Sequence, residues 1–93
     1  MPTVHLLIKG RVHGVFYRAT ARRIADELGI KGWNRNTSEG NVEVMATGPD
    51  LAIQRFTDWS RRGPEMAEVT DMIITKMEPT EFKDFVILRG PAF

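Results

Sequence analysis

Ile30-Lys31-Gly32-Trp33-Asn34-Arg35-Asn36-Thr37-Ser38-Glu39-Gly40-Asn41-Val42-Glu43-Val44-Met45-Ala46-Thr47 is the stretch on which the fold turns. Ile30 to Arg35 and Asn41 to Thr47 read as two strands about the polar connection Asn36 to Gly40. The second strand alternates well: Val42, Val44 and Ala46 face one way, Asn41, Glu43 and Met45 the other. That is the period of a strand with one covered face. A short polar connection containing glycine makes the pair a hairpin.

Upstream of the hairpin, Tyr17, Ala21, Ile24, Ala25 and Leu28 recur at helical spacing, with Arg22, Arg23, Asp26 and Glu27 on the other side. The spacing predicts an amphipathic helix over 17–28, with Gly29 standing where a left-handed C-terminal cap belongs. Before it, Val4-His5-Leu6-Leu7-Ile8-Lys9-Gly10 is rich in branched apolar residues and reads as a buried strand. Downstream, Pro49 suits the first turn of a second helix, Asp50 suits the positive end of its dipole, and Ala52, Phe56 and Trp59 share a face. Arg61 and Arg62 suit its C-terminal end, and Gly63-Pro64 stops it. Val69–Met77 then reads as a strand of poorer alternation, and Phe85–Leu88 as a short final strand.

The order strand, helix, strand, strand, helix, strand interleaves two split β-α-β units. The expected class is therefore α+β: a ferredoxin-like β-α-β-β-α-β sandwich, its antiparallel sheet covered on one face by two helices, with a short extra C-terminal strand. Without repeats, low-complexity segments or linkers, residues 1–93 are expected to form a single domain. This architecture hosts enzymes, RNA binders, metal carriers and regulatory domains, so function must come from a site.

Charge offers no macromolecular partner: thirteen basic and twelve acidic side chains leave a formal charge of +1, which gives no reason to expect nucleic acid or membrane. No cysteine is present, which excludes a disulfide scaffold, a thiolate nucleophile and cysteine-ligated metal. Val4–Ile8 is too short for the apolar region of a signal peptide, and no apolar run is long enough to span a bilayer. A cytoplasmic location is expected.

The chemistry is expected in Gly10-Arg11-Val12-His13-Gly14-Val15-Phe16-Tyr17-Arg18. It follows a strand and enters a helix N-terminus, where backbone N–H groups lack intrahelical partners and the helix dipole is positive. Glycine permits the dihedrals that turn successive N–H groups towards one point, an anion nest. A cation such as Arg18 in the first turn opposes the dipole and is better explained if an anion binds there. Glycine turns before helices are common, however, so the loop taken alone also fits a plain turn with a solvated Arg18. It lacks the Gly-Lys-Ser/Thr ending of a Walker loop and the glycine spacing of a dinucleotide fingerprint.

These residues closely resemble the first signature of the acylphosphatase family, which reads glycine, any residue, valine, glutamine, glycine, valine, any residue, phenylalanine or methionine, arginine. The second signature is similar to Gly32-Trp33-Asn34-Arg35-Asn36-Thr37-Ser38-Glu39-Gly40-Asn41-Val42, with its final glycine at Gly48. The resemblance implies hydrolysis of acyl phosphates to carboxylate and inorganic phosphate, without metal, cofactor or covalent intermediate. It assigns phosphate binding to Arg18 with the backbone of Arg11, Val12, His13, Gly14, Val15, Phe16 and Tyr17. It assigns positioning of the attacking water to Asn36, and support of that asparagine to Thr37. A small-molecule acyl phosphate is then the substrate, and a monomer is expected.

Three positions depart from the pattern. His13 replaces glutamine, where it could either titrate beside the phosphate or make the loop-supporting hydrogen bond expected of glutamine. Tyr17 adds a hydroxyl to the usual phenylalanine. Asn34 stands where a small apolar residue is usual. Elsewhere, His5 and His13 make no metal-ligand set, Trp33, Phe56 and Trp59 read as packing residues, and Met66, Met72 and Met77 as core or edge filler. The competing functions are a non-enzymatic ferredoxin-like module binding RNA or protein on its open sheet face, and an inactive acylphosphatase-like domain. An RNA module calls for aromatics on the central strands, and neither Val4–Ile8 nor Asn41–Thr47 has one.

Overall fold

A computed structural model describes residues 1–89, so the last four residues of the expected 1–93 unit lie outside the described residues. In chain order the elements are β1 (Thr3–Arg11), α1 (Tyr17–Leu28), β2 (Lys31–Asn36), β3 (Val42–Thr47), α2 (Asp50–Arg62), β4 (Glu68–Met77) and β5 (Phe85–Ile87). The five strands form one sheet in the order β4-β1-β3-β2-β5. The hairpin closes as expected, β2 pairing antiparallel with β3 in a register that sets Asn34 opposite Val44 and Asn36 opposite Val42. β1 pairs antiparallel with both β3 and β4. The extra strand β5 joins β2 in parallel, so the sheet is antiparallel over its four principal strands and mixed at this edge.

Alternation decides which face is covered. Val4, Leu6 and Ile8 of β1 and Val42, Val44 and Ala46 of β3 are buried against the helices, with Ala21 and Ala25 of α1 and Ile53 and Phe56 of α2. Small residues on α1 let that helix lie close to the sheet. Ile53 and Ser60 join Phe56 on the buried face of α2, while Ala52 and Trp59 are only partly covered. Pro49 sits one residue ahead of the first turn, as the N-cap, because its ψ of 151° is extended rather than helical. Gly29 caps α1 in the left-handed region, as expected.

The hydroxyl of Tyr17 has a specific task. Ser60 sits in the last turn of α2, and the residue four places on is Pro64, which has no N–H to return to the Ser60 carbonyl. The Tyr17 hydroxyl donates to that carbonyl at 2.7 Å, from a fully buried ring tilted against Trp59. Burial pushes the phenol well above its usual pKa, so it remains a donor. Tyr17→Phe strands a buried acceptor and is expected to cost about 1–3 kcal/mol, read as a lower urea midpoint at unchanged m-value.

On the outer face of the sheet, Glu43 accepts from His5 Nε2 at 2.9 Å and from Arg35 Nε, and the Arg35 guanidinium lies 4.9 Å from the centre of the Trp33 ring. Trp33 thus packs under an arginine on the open face rather than in the core. Met66 and Met77 are exposed, whereas Met72 packs against the core from the edge strand. Burial alone would raise the Glu43 carboxyl, but hydrogen bonds from His5 and Arg35 and their positive charge together hold it below the ordinary value of 4.5. A carboxyl depressed in the folded state stabilises the fold fully above its unfolded pKa and loses that contribution as pH falls through the folded one. Unfolding free energy should therefore decline below about pH 4.5 in the wild type and decline less steeply in Glu43→Gln, as measured by urea titration at several pH values.

Candidate functional site

The segment joining β1 to α1 is shaped at its root by Gly10. Here the β1–β4 register shifts between Lys9 and Gly10, and a Cβ on Gly10, at φ 125°, would collide with the Glu68 carbonyl. β1 continues through Arg11, which pairs with Glu68; the Arg11 side chain is exposed and 3.6 Å from the Glu68 carboxylate. The loop proper therefore starts at Val12, which is itself buried in the core. Beyond it the backbone alternates in hand: Gly14 has φ 69°, Val15 is negative, Phe16 has φ 63°, and Tyr17 starts the helix. Alternating hand is what makes successive N–H groups converge into a concave nest.

Those N–H groups are unused among the described residues. From His13 to Ala19 none donates to another backbone group among the described residues; the first that does is Thr20, to the Phe16 carbonyl at 3.1 Å. The backbone N–H groups that donate to side chains belong to Asn41, Met72 and Thr80, all outside this loop. Phe16 is the N-cap of α1 but supplies no side-chain cap, and the first turn holds no acid. Arg18 lies in that turn, half-buried, and among the described residues forms no ion pair. Dipole, amides and guanidinium thus add up to a positive site that no carboxylate among the described residues neutralises.

Two hydrogen bonds tie this loop to the hairpin. His13 Nε2 bonds the Asn41 carbonyl at 2.7 Å, and Asn34 Nδ2 donates to the Arg18 carbonyl at 3.1 Å. The His13 ring therefore makes a loop-supporting bond, the second of the two expectations for it. Asn41 is in turn locked to Thr37: the Thr37 N–H donates to the Asn41 carbonyl at 2.9 Å, and the Asn41 N–H donates to Thr37 Oγ1 at 3.1 Å. Asn36 stands between the two ties, at the end of β2, next to Thr37 and on the same strand face as Asn34. Its Oδ1 is buried and accepts no hydrogen bond among the described residues, and the same holds for Asn34 Oδ1.

The structure thus ties the loop from Val12 to Arg18, through Asn34 and Asn41, to the strand end and turn that carry Asn36 and Thr37, and leaves the Arg11 side chain apart, beside Glu68 of β4. Asn34 acquires a role that the sequence suggested only by its oddity: a polar residue at an inward strand position, fully buried. Ile87 of β5 lines a cavity with Gly14, Phe16 and Arg18, and nothing local in its sequence announces it. No group of three or more potential metal ligands occurs among the described residues.

The fold agrees with that of proteins this chain resembles. The Acylphosphatase family model matches residues 4–87. A protein named acylphosphatase from Methylococcus capsulatus is 47% identical over 90 residues, covering 96% of this chain and 98% of its own length. One of the same name from Marinobacter nauticus is 43% identical over 82 residues, covering 87% and 89%. The crystal structure of acylphosphatase from Bacillus subtilis matches with a TM-score of 0.92 at 32% identity, covering 96% of this chain and all of that one.

Proposed function

The chain belongs to the acylphosphatase family and hydrolyses acyl phosphates to carboxylate and inorganic phosphate, and from that premise we propose that Arg18 and the loop amides hold the phosphoryl group while Asn36 holds the attacking water. The observation that carries this assignment is the run of N–H groups from His13 to Ala19 that find no backbone acceptor among the described residues, leading into a helix whose first turn contains an arginine with no ion pair among those residues. The amides of Val12, His13, Gly14, Val15, Phe16 and Tyr17 supply donors, with Arg11 at the root of the loop, and the Arg18 guanidinium supplies a planar fork matched to phosphate oxygens.

An acyl phosphate is a mixed anhydride whose carboxylate leaves readily, so strong acid assistance is unnecessary. Catalysis then rests on positioning and on donors aimed at the phosphoryl oxygens, where charge is concentrated. Asn36 has no useful pKa and acts only by hydrogen bonding. A water that donates to its buried Oδ1 keeps a lone pair free for attack on phosphorus. Its proton passes to a phosphoryl oxygen of the substrate as the bond to the carboxylate breaks. Thr37 supports Asn36 by closing the turn that follows it, and His13 fastens the loop to that same turn. No metal or cofactor enters this scheme. All these groups lie on one chain, which suits a monomeric, single-domain enzyme, and we place it in the cytoplasm. Among the described residues no helix is long and apolar enough to cross a membrane.

Hydrolysis of benzoyl phosphate in ¹⁸O-labelled water tests the assignment. Attack on phosphorus puts the label in inorganic phosphate; label in benzoate would place the attack on the carbonyl carbon and remove the role given to the loop.

A further inference from the structure

The phosphate loop does not end the cavity it opens onto. The space is about 290 Å³ and is lined by Gly14 and Arg18 together with Val12, Phe16, Tyr17, Ala19 and Ile87. A cavity of about 150 Å³ suffices for a benzene ring, so the volume exceeds what a phosphoryl group needs. Among the described residues Arg18 is the one charged side chain in the wall. A second charge on the ligand would meet no partner among them.

Phe16 is the unusual member. It is the one residue other than glycine with positive φ among the described residues, and it is 78% exposed. A bulky side chain in the left-handed region is strained, and such strain gathers at ligand clamps. An exposed ring beside a donor-rich loop provides no core packing. It does provide an apolar wall continuous with the phosphate cradle. On the opposite side, β5 brings Ile87 into place: its parallel register sets Ile87 beside Asn34, whose amide holds the Arg18 carbonyl. Phosphate cradle and apolar wall are thus both fastened to β2, at Asn34.

We infer that Phe16 and Ile87 form an acyl subsite that selects uncharged, apolar or aromatic acyl groups; the inference rests on the hydrolytic reading above. With the phosphoryl group held by Arg18 and the loop, the acyl carbon chain extends over the Phe16 ring and against Ile87. These two side chains determine which acyl phosphate is used, without touching the reacting atoms.

The test compares kcat/KM for benzoyl phosphate and acetyl phosphate in the wild type, Phe16→Gly and Ile87→Ala. The change in the ratio of the two constants from wild type to variant is the readout, because the leaving-group difference between the substrates is the same in every protein and any general loss of loop order acts on both substrates. Phe16→Gly removes the ring and suits the left-handed backbone; Ile87→Ala leaves the loop sequence intact. Loss of an aromatic or branched apolar contact is expected to lower the benzoyl-to-acetyl ratio by about three- to tenfold in each variant. A ratio that stays at the wild-type value in either variant overturns the subsite while leaving the hydrolytic reading standing. A wild-type protein that turns over neither substrate overturns the hydrolytic reading and the subsite with it.

Discussion

Arg18→Ala is expected to lower kcat/KM for benzoyl phosphate by about a thousandfold, the scale on which a charged fork acts at a transferring phosphoryl group. Two features make the effect large. The guanidinium forms no ion pair among the described residues, so its removal leaves no protein carboxylate stranded and the loss falls on the ligand. The site is also half-buried, which strengthens each charge-assisted bond relative to water. Competitive inhibition by inorganic phosphate should weaken in parallel, by about ten- to a hundredfold, since the product uses the same donors. Arg18→Lys keeps the charge but loses the planar fork and should recover only part of the activity. The fold should survive, because the Asn34 tie reaches the backbone carbonyl of Arg18 and not its side chain.

Asn36→Ala should show the opposite split. Its amide is assigned to the water and makes no contact with the phosphate oxygens, so kcat is expected to drop by about a hundredfold, the usual scale for a misplaced reacting group. Phosphate inhibition should remain within about twofold of wild type, because truncating a group that acts only on the nucleophile leaves ground-state binding intact. The buried Oδ1, without a partner among the described residues, sharpens the expectation: alanine removes an acceptor that no other described group uses, and so strands no donor among them. Steady-state kinetics with phosphate as the competing ligand reads both quantities from one data set. Parallel loss of turnover and of phosphate inhibition would sink the division of labour between Arg18 and Asn36.

Much of the fold was legible because its signals are local. The inward alternation of Val42, Val44 and Ala46, the helical spacing from Tyr17 to Leu28 and the stop at Gly63-Pro64 all survive in the structure with boundaries shifted by about a residue. β4 read poorly for a physical reason: it is an edge strand whose residues are largely exposed, Ile73 and Ile74 included, and only Val69 and Met72 pack against the core, too few to impose alternation on it. The parallel pairing of β5 had no local signature. It depends on contacts made far away in the chain, where Thr80 is hooked by Thr3 and Thr47 and the Gly32 N–H reaches the Asp84 carbonyl.

The site divides along the same line. Gly10, Gly14 and Arg18 stood out because their residue types conflict with, or are demanded by, a strand-to-helix junction. Asn36 stood out only through the resemblance, since nothing in its neighbourhood distinguishes it from any hairpin asparagine. What the sequence withheld were partners. His13 meets the Asn41 carbonyl 28 residues away, and Asn34 meets the Arg18 carbonyl across 16. Both bonds end on backbone atoms, which carry no residue-type signal. For the same reason the extra hydroxyl of Tyr17 looked neutral until the carbonyl of Ser60, left without a partner by Pro64, came into view.

The measurement that bears most directly on the central claim is phosphate release from benzoyl phosphate in excess chelator, by wild type and Arg18→Ala side by side. If the protein's own amides and guanidinium suffice to hold the phosphoryl group, the wild-type rate is insensitive to chelator and the variant rate falls almost to that of the uncatalysed reaction. Equal rates in the two proteins, or a wild-type rate abolished by chelator, would contradict it.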